Sequence, residues 1–152
     1  MKKIIKQIRD IEIIEKELNA SSSGIVALIL NNDKLTQFVT PYLYLNKNIY
    51  IFFDDENELF QNLHFDSNVS FTIVKNEKVK KSKNFTPTYG FLTINILGKM
   101  KIVDDQKIIE EVKQHYLLKY KKNLDGVFDL SILKKIVIID TEEIHAVEEI
   151  GG

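Results

Sequence analysis

The chain has 152 residues, of which 44% are hydrophobic and 28% are charged, a composition typical of one globular domain. It contains no cysteine, which excludes disulfide bonds, thiolate metal sites and cysteine nucleophiles. The net charge of -1 argues against a nucleic-acid partner, and the apolar runs are too short for a membrane span. The chain begins like a secretion signal, but Lys6, Arg9, Asp10 and Glu12 interrupt the apolar region that such a signal needs, so we expect a cytoplasmic protein.

Residues 1–20 are predicted to form an amphipathic N-terminal helix that serves as a lid or docks on the rest of the chain. Within residues 1–18, the apolar side chains Ile4, Ile8, Ile11 and Leu18 have the spacing of one helical face. The polar residues 19–24 then end the helix. The remainder, 24–152, is predicted to form a barrel with further helices, so that 1–152 is a single domain.

Strand-like segments with short links follow from Gly24 onward, and the first three are predicted to form an antiparallel meander. Pro41 lies inside the second strand, where it cannot donate a ladder hydrogen bond, so an edge, a bulge or a ligand-lined gap is expected there. Gly98 is predicted to mark a bulge in the long fifth strand. The predicted strands are 25–30, 36–45, 49–53, 69–74, 89–103, 133–140 and a short seventh at 144–150; the predicted helices are 54–63 and 104–121.

The lysine-rich residues 75–88 between two of these strands are predicted to form a mobile loop. The segments show no regular alternation of strand and helix. The pattern therefore predicts an α+β protein built on an antiparallel six-stranded barrel with flanking helices.

Few residue patterns in the sequence point to chemistry on their own. His64, His115 and His145 lie on different elements without the spacing of a zinc site, which favours ordinary surface histidines. Residues 54–58, Asp-Asp-Glu-Asn-Glu, fit a cation site or, more simply, the N-terminus of a helix, where carboxylates complement the helix dipole. Tyrosines and phenylalanines alternate on three strands, which suits either a core or a planar ligand.

The order of these segments resembles the pyridoxamine-phosphate-oxidase-like split barrel. The matching segments are Thr40-Pro41-Tyr42-Leu43-Tyr44, residues 49–53, Asn62-Leu63 before residues 66–71, and the strand 92–103 with Gly98. Residues 128–152 are similar to the C-terminal strands of the haem-utilisation branch of that family.

This resemblance implies a homodimer that binds FMN at the subunit interface and acts as a small flavin-dependent oxidoreductase. It implies cofactor-binding roles for Thr40, Tyr42, Phe52, Phe53, Asn62 and Lys99. The sequence departs from the family where the phosphate is expected, because Asp54, Asp55, Glu56 and Glu58 would repel a phosphate dianion. Lysines from residues 75–83, or Lys99 and Lys101, are the candidates to compensate.

Two alternatives remain beside flavin binding. The haem-utilisation branch implies a haem-binding protein, for which His145 is the candidate iron ligand and lysines would pair with the propionates. The other alternative is a cofactor-free dimeric binding module, in which the acidic segment 54–58 has replaced phosphate binding.

Overall fold

The computed structural model describes residues 3–54, 56–76, 89–121 and 134–151. Within these residues, eight strands form one antiparallel sheet that three helices accompany. In chain order the elements are β1 Lys3–Ile8, α1 Ile11–Ala20, β2 Gly24–Ile29, β3 Leu35–Thr40, β4 Leu43–Leu45, β5 Asn48–Phe53, α2 Glu58–Gln61, β6 Asn68–Asn76, β7 Tyr89–Ile102, α3 Gln106–Tyr120 and β8 Lys135–Gly151.

The sheet has the strand order β3-β2-β6-β7-β8-β5-β4, with β1 paired to β8 beside this path. The strands at its two ends, β3 and β4, follow one another in sequence and are joined only by Pro41 and Tyr42. The sheet therefore curls into a split barrel. The predicted α+β class and antiparallel barrel are confirmed, with eight described strands in place of six.

The inward side chains of the curled sheet form the main core, which α1 covers with Ile14 and Leu18. The fully buried members include Val26, Tyr42, Ile49, Ile51, Phe71, Ile94, Ile96, Met100, Val137 and Ile139. Helix α3 packs outside the barrel and buries a second cluster, which consists of Leu43, Tyr50, Val112, Tyr116 and Ile136. No helix within the described residues has the length and apolar character to cross a membrane.

The predicted helix over residues 1–18 is wrong in its first half. Residues 3–8 form β1, which pairs antiparallel with residues 146–151 of β8. A strand is favoured there because β8 offers a free hydrogen-bonding edge. Asp10 then caps α1, since its carboxylate accepts a hydrogen bond from the Glu12 amide at 3.0 Å. In the second half of the predicted apolar face Leu18 is buried against the barrel, whereas Ile11 is 45% exposed and Ile14 is the other buried residue of α1.

The predicted strand 36–45 is divided at Pro41 into β3 and β4, which lie at opposite ends of the sheet. The predicted meander is therefore wrong, although β2–β3 and β4–β5 are each paired neighbours. The helix predicted over 54–63 is shorter, because Asn57 caps α2. The helix predicted over 104–121 begins at Gln106, because Asp105 caps α3. Of the loop predicted over 75–88, the first two residues extend β6 and residues 77–88 lie outside the described residues.

The two strands predicted near the C-terminus form one continuous strand, β8; residue 133, the predicted start, lies outside the described residues. The predicted irregularity at Gly98 is confirmed, because the register of β7 with β8 shifts between Leu97 and Gly98. Leu97 is opposite Glu143 and Gly98 is opposite Thr141, which leaves Glu142 as the extra residue. Only glycine suits position 98, since a side chain there would overlap the Asp140 carbonyl oxygen.

Candidate functional site

Four neighbouring strands, β3, β2, β6 and the first part of β7, present an uncharged surface away from the core. Side chains alternate between the two sides of a sheet, and the register aligns Val39, Ile25, Thr72 and Asn95 in one row across it. We call this surface the outer face; it consists of Ile25, Ala27, Ile29, Leu35, Gln37, Val39, Ser70, Thr72, Val74, Phe91, Thr93, Asn95 and Leu97.

The outer face carries large apolar side chains that are open to solvent. Leu35 is 72% exposed, Val39 is 69% exposed and Val74 is 53% exposed. In a chain that is 28% charged, a set of described outward positions on four strands without one acidic or basic side chain is unusual. Uncovered apolar patches of this kind mark binding surfaces.

A groove of about 460 Å³ lies on the outer face. Outer-face residues Ala27, Ile29, Leu35, Ser70 and Leu97 form much of its wall, together with Leu28, Val69, Asn68 and Gly98; the bulged Glu142 and its neighbour Glu143 complete the lining on the β8 side. The groove thus combines apolar walls, a hydroxyl and an amide with two carboxylates, and neither a lysine nor an arginine belongs to its described lining.

Asn95 fixes the polar part of the outer face. Its Nδ2 donates to Ser70 Oγ at 2.8 Å and to Thr72 Oγ1 at 2.9 Å. These bonds hold both hydroxyls in place, so their oxygens have defined positions towards any ligand. Across the sheet, Asn95 is opposite the exposed His145, whose Nε2 lies 3.0 Å from Glu143 Oε2.

Tyr42, the first of the predicted cofactor residues, is a structural link inside the protein. Its ring is fully buried, and its hydroxyl donates to the Leu18 carbonyl of α1. Its amide donates to the Tyr120 hydroxyl at 3.0 Å, and its carbonyl accepts from Lys119 Nζ at 3.0 Å. Burial raises the pKa of the Tyr42 hydroxyl. The polar groups of Tyr42 thus tie α1 and α3 to the junction of β3 and β4.

Lys119 at this junction was not singled out from the sequence. Its ammonium lies 3.7 Å from the centre of the Tyr42 ring, and burial lowers its pKa to about 8. A lysine in an amphipathic helix gives no sign in the sequence that its head group will be covered. Its contacts hold α3 in place.

Thr40, Phe52 and Phe53 lie on different sides of the sheet. Thr40 is 7% exposed, and its hydroxyl donates to the Pro41 carbonyl at 2.9 Å. Phe53 points into the barrel, where the centre of its ring lies 6.1 Å from the centre of the Phe38 ring. Phe52 points outward under α3, where the centre of its ring lies 4.3 Å from the centre of the Tyr116 ring.

Asn62 and Lys99 are both exposed. Asn62 follows α2 and donates through Nδ2 to the Glu58 carbonyl at 2.8 Å. Lys99 lies on the outward side of β7, opposite Asn68 and Asp140. The six predicted cofactor residues are thus distributed over both sides of the sheet and the end of α2, and none of them lines the groove on the outer face; their role in binding remains a prediction.

The acidic segment after β5 is open to solvent. Asp54, Glu56 and Glu58 are exposed, and Asp55 lies outside the described residues. The Asp54 carboxylate accepts from the Glu56 amide at 3.1 Å, and Asn57 caps α2, so the segment has the local structure of a helix N-terminus. No group of three or more potential metal ligands occurs among the described residues.

The structure is similar to solved structures of several proteins. A candidate 5-nitroimidazole antibiotic resistance protein from Bacteroides thetaiotaomicron has a TM-score of 0.77 and 13% identity, over 100% of this chain and 93% of the other. A candidate pyridoxamine 5'-phosphate oxidase from Corynebacterium glutamicum has a TM-score of 0.60 and 19% identity, and the similarity covers 95% of this chain and 98% of the other. The FAD and haem binding protein from Mycobacterium smegmatis has a TM-score of 0.64 and 9% identity, and the similarity covers 93% of this chain and 72% of the other.

These similarities define the class of fold. The chain has the pyridoxamine-phosphate-oxidase-like split-barrel fold, as the resemblance in the sequence predicted. Neighbours with this fold include flavin-binding and haem-binding proteins. No protein-family model matches the chain, and no curated protein matches it significantly in sequence.

The groove is suited to the ring system of a flavin nucleotide, whereas the acidic segment is not suited to its phosphate. The groove has the volume and the mixed apolar and polar lining that a flat ring system needs. The segment 54–58 offers carboxylates where the resemblance expects a phosphate clamp. The ring system therefore fits the residues present, and the phosphate does not fit this segment.

The residues of the outer face were missed from the sequence. Their signal was present as charge-free alternate positions in the predicted strands 25–30 and 69–74. Both sets of alternate positions in the first of these strands are apolar, so the sequence did not distinguish the core side from an exposed binding side.

Proposed function

We propose that this protein is a dimeric flavin-binding protein that acts as a small oxidoreductase. The observation that carries the proposal is the uncharged outer face with its groove, on a fold that occurs in flavin-binding proteins. A bound flavin supplies the redox chemistry, and the protein binds it, orients it and excludes water.

The proposed dimer is formed by two outer faces packed against each other. In a two-fold interface the same surface meets itself, so any charge on it would face a like charge near the axis. The outer face is free of charge, which removes this cost. Its apolar side chains, such as Leu35 and Val39, would leave solvent on association.

The proposed flavin site is the groove between these faces. Ile29, Leu35 and Leu97 provide apolar walls for the ring system, and the second copy covers its open side. Ser70, held by Asn95, offers a hydroxyl to the polar edge of the ring. This arrangement shares with the sequence prediction the position of the ligand at a dimer interface, but none of the six predicted cofactor residues lines the groove.

Titration of the purified protein with riboflavin and with FMN tests the proposal, with flavin fluorescence and gel filtration as readouts. We expect binding with micromolar or tighter affinity and a flavin spectrum that elutes with the protein. Leu97→Glu, which places a charge in the groove wall, should abolish binding. The matched control is Leu118→Glu on the solvent side of α3. Failure to bind either flavin at a large excess would contradict the proposal.

Haem binding is the second candidate. It is favoured by the position of His145, which is exposed on β8 directly across from Asn95 of the outer face. Haemin should then give a Soret band that disappears in His145→Ala. If the protein takes up neither flavin nor haem but remains a stable dimer, the cofactor-free binding module is the correct interpretation.

A further inference from the structure

The ionisable groups that line the groove are both acids. Glu142 and Glu143 lie on its β8 side and are exposed. Glu143 Oε2 lies 3.0 Å from His145 Nε2, whereas Glu142 is the extra residue of the bulge. A bulge changes the direction of a side chain, and here it adds Glu142 to the groove lining.

Two exposed lysines of β7, Lys99 and Lys101, follow the groove residues Leu97 and Gly98 along the strand. Lys101 forms an ion pair with Asp140 at 3.2 Å, whereas Lys99, which is opposite Asp140 in the register of β7 and β8, makes no described ion pair and is not part of the groove lining. The sole arginine, Arg9, lies between β1 and α1, where its guanidinium donates to Gln7 Oε1 at 3.1 Å. The described lining of the groove thus contains two acids and neither a lysine nor an arginine.

We propose that the groove selects a flavin without a phosphate group, so that the protein prefers riboflavin to FMN and FAD. This inference rests on the proposed flavin site. A phosphate monoester carries a charge between -1 and -2 at neutral pH, roughly -1.5 to -2. Next to Glu142 and Glu143 that charge would be repelled, whereas the neutral ribityl chain of riboflavin can hydrogen-bond to the same carboxylates.

Competitive fluorescence titrations with riboflavin, FMN and FAD test this preference at low and at high salt. At low salt we expect riboflavin to bind about tenfold more tightly than FMN, which corresponds to about 1.4 kcal/mol. Added salt screens like-charge repulsion, so the affinity for FMN should rise while the affinity for riboflavin stays constant.

The variant Glu142→Gln separates this charge effect from other causes of selectivity. It removes one carboxylate that makes no described hydrogen bond, so we expect it to tighten FMN binding several-fold and to leave riboflavin binding unchanged. Glu110→Gln, an exposed position on α3, is the matched control and should change neither affinity.

The possible results separate failure of the riboflavin preference from failure of the proposed flavin binding. Equal or tighter binding of FMN at low salt would overturn the preference and leave the flavin site standing. An equal change of both affinities in Glu142→Gln would also overturn it, because the carboxylate would then act on the ring rather than on the phosphate. Absence of binding by every flavin would overturn the proposed function and this inference with it.

Discussion

The substitution Val39→Asp is predicted to dissociate the proposed dimer while the protomer stays folded. Val39 lies on the outer face and is 69% exposed in the single chain. An aspartate at this position remains hydrated in the protomer, so the free energy of unfolding should fall by only about 1 kcal/mol, the range of strand propensities.

The magnitude of the effect on association follows from the exposed surface. Covering the exposed part of Val39 removes roughly 100 Å² of apolar surface per copy, or about 2.5 kcal/mol. Two-fold symmetry doubles this loss to about 5 kcal/mol, before any cost of desolvating the carboxylate. The dissociation constant of the dimer should therefore rise by roughly a thousandfold or more.

Sedimentation velocity across micromolar concentrations measures this directly. Leu118→Asp is the matched control, because Leu118 is equally exposed, at 69%, but lies on α3 away from the outer face. The wild type and the control should sediment as dimers and Val39→Asp as a monomer. A monomeric wild type, or a Val39→Asp protein that remains dimeric, would refute the reasoning.

Three further predictions concern stability. Tyr42→Phe removes the hydroxyl that donates to the Leu18 carbonyl, and should lower the free energy of unfolding in urea by about 1–3 kcal/mol; an unchanged midpoint would contradict its linking role. Asp105→Ala removes the cap that accepts from the first amides of α3, and should cost about 1 kcal/mol, whereas Asp104→Ala should cost little. Burial raises the pKa values of Tyr44 and Tyr120 to about 12. Since both hydroxyls ionise near pH 10 in the unfolded chain, the stability that they contribute is present below pH 10 and is lost between about pH 10 and 12. The fall in the free energy of unfolding over this pH range should be smaller in a Tyr44→Phe, Tyr120→Phe double variant.

The parts of the fold that local pattern determines were predicted from the sequence. β2, β5, β6 and β7 appear near their predicted bounds because apolar side chains alternate with others or form short buried runs between polar turns. The irregularity at Gly98 was also predicted, since a glycine inside a long strand often marks a bulge or a close backbone contact.

Pairings between distant parts of the chain were not predicted. Residues 3–8 have a spacing that suits a helix as well as a strand, and their partner in β8 is separated from them by almost the whole chain. Tertiary pairing decided the outcome there. The passage of the chain from β3 to β4, across the opening of the barrel, likewise depends on where both strands find partners.

The candidate site was only partly accessible from the sequence. The resemblance directed attention to Tyr42, yet that side chain is buried in the core, while its neighbours Val39 and Pro41 are exposed. The adjacent apolar residues Ile25 and Val26 could not be assigned to the outer face and the core by pattern alone, because both suit either environment. Only the assembled sheet reveals that the outward set is free of charge.

The central claim is that flavin binds between two outer faces, and sedimentation velocity recorded in the visible absorption band of riboflavin tests it most directly. The account predicts that the flavin signal sediments with the wild-type dimer, and that Val39→Asp loses both the dimer and the bound flavin while Leu118→Asp retains both. Flavin that stays unbound in the wild type, or that sediments equally well with the Val39→Asp monomer, would contradict the account.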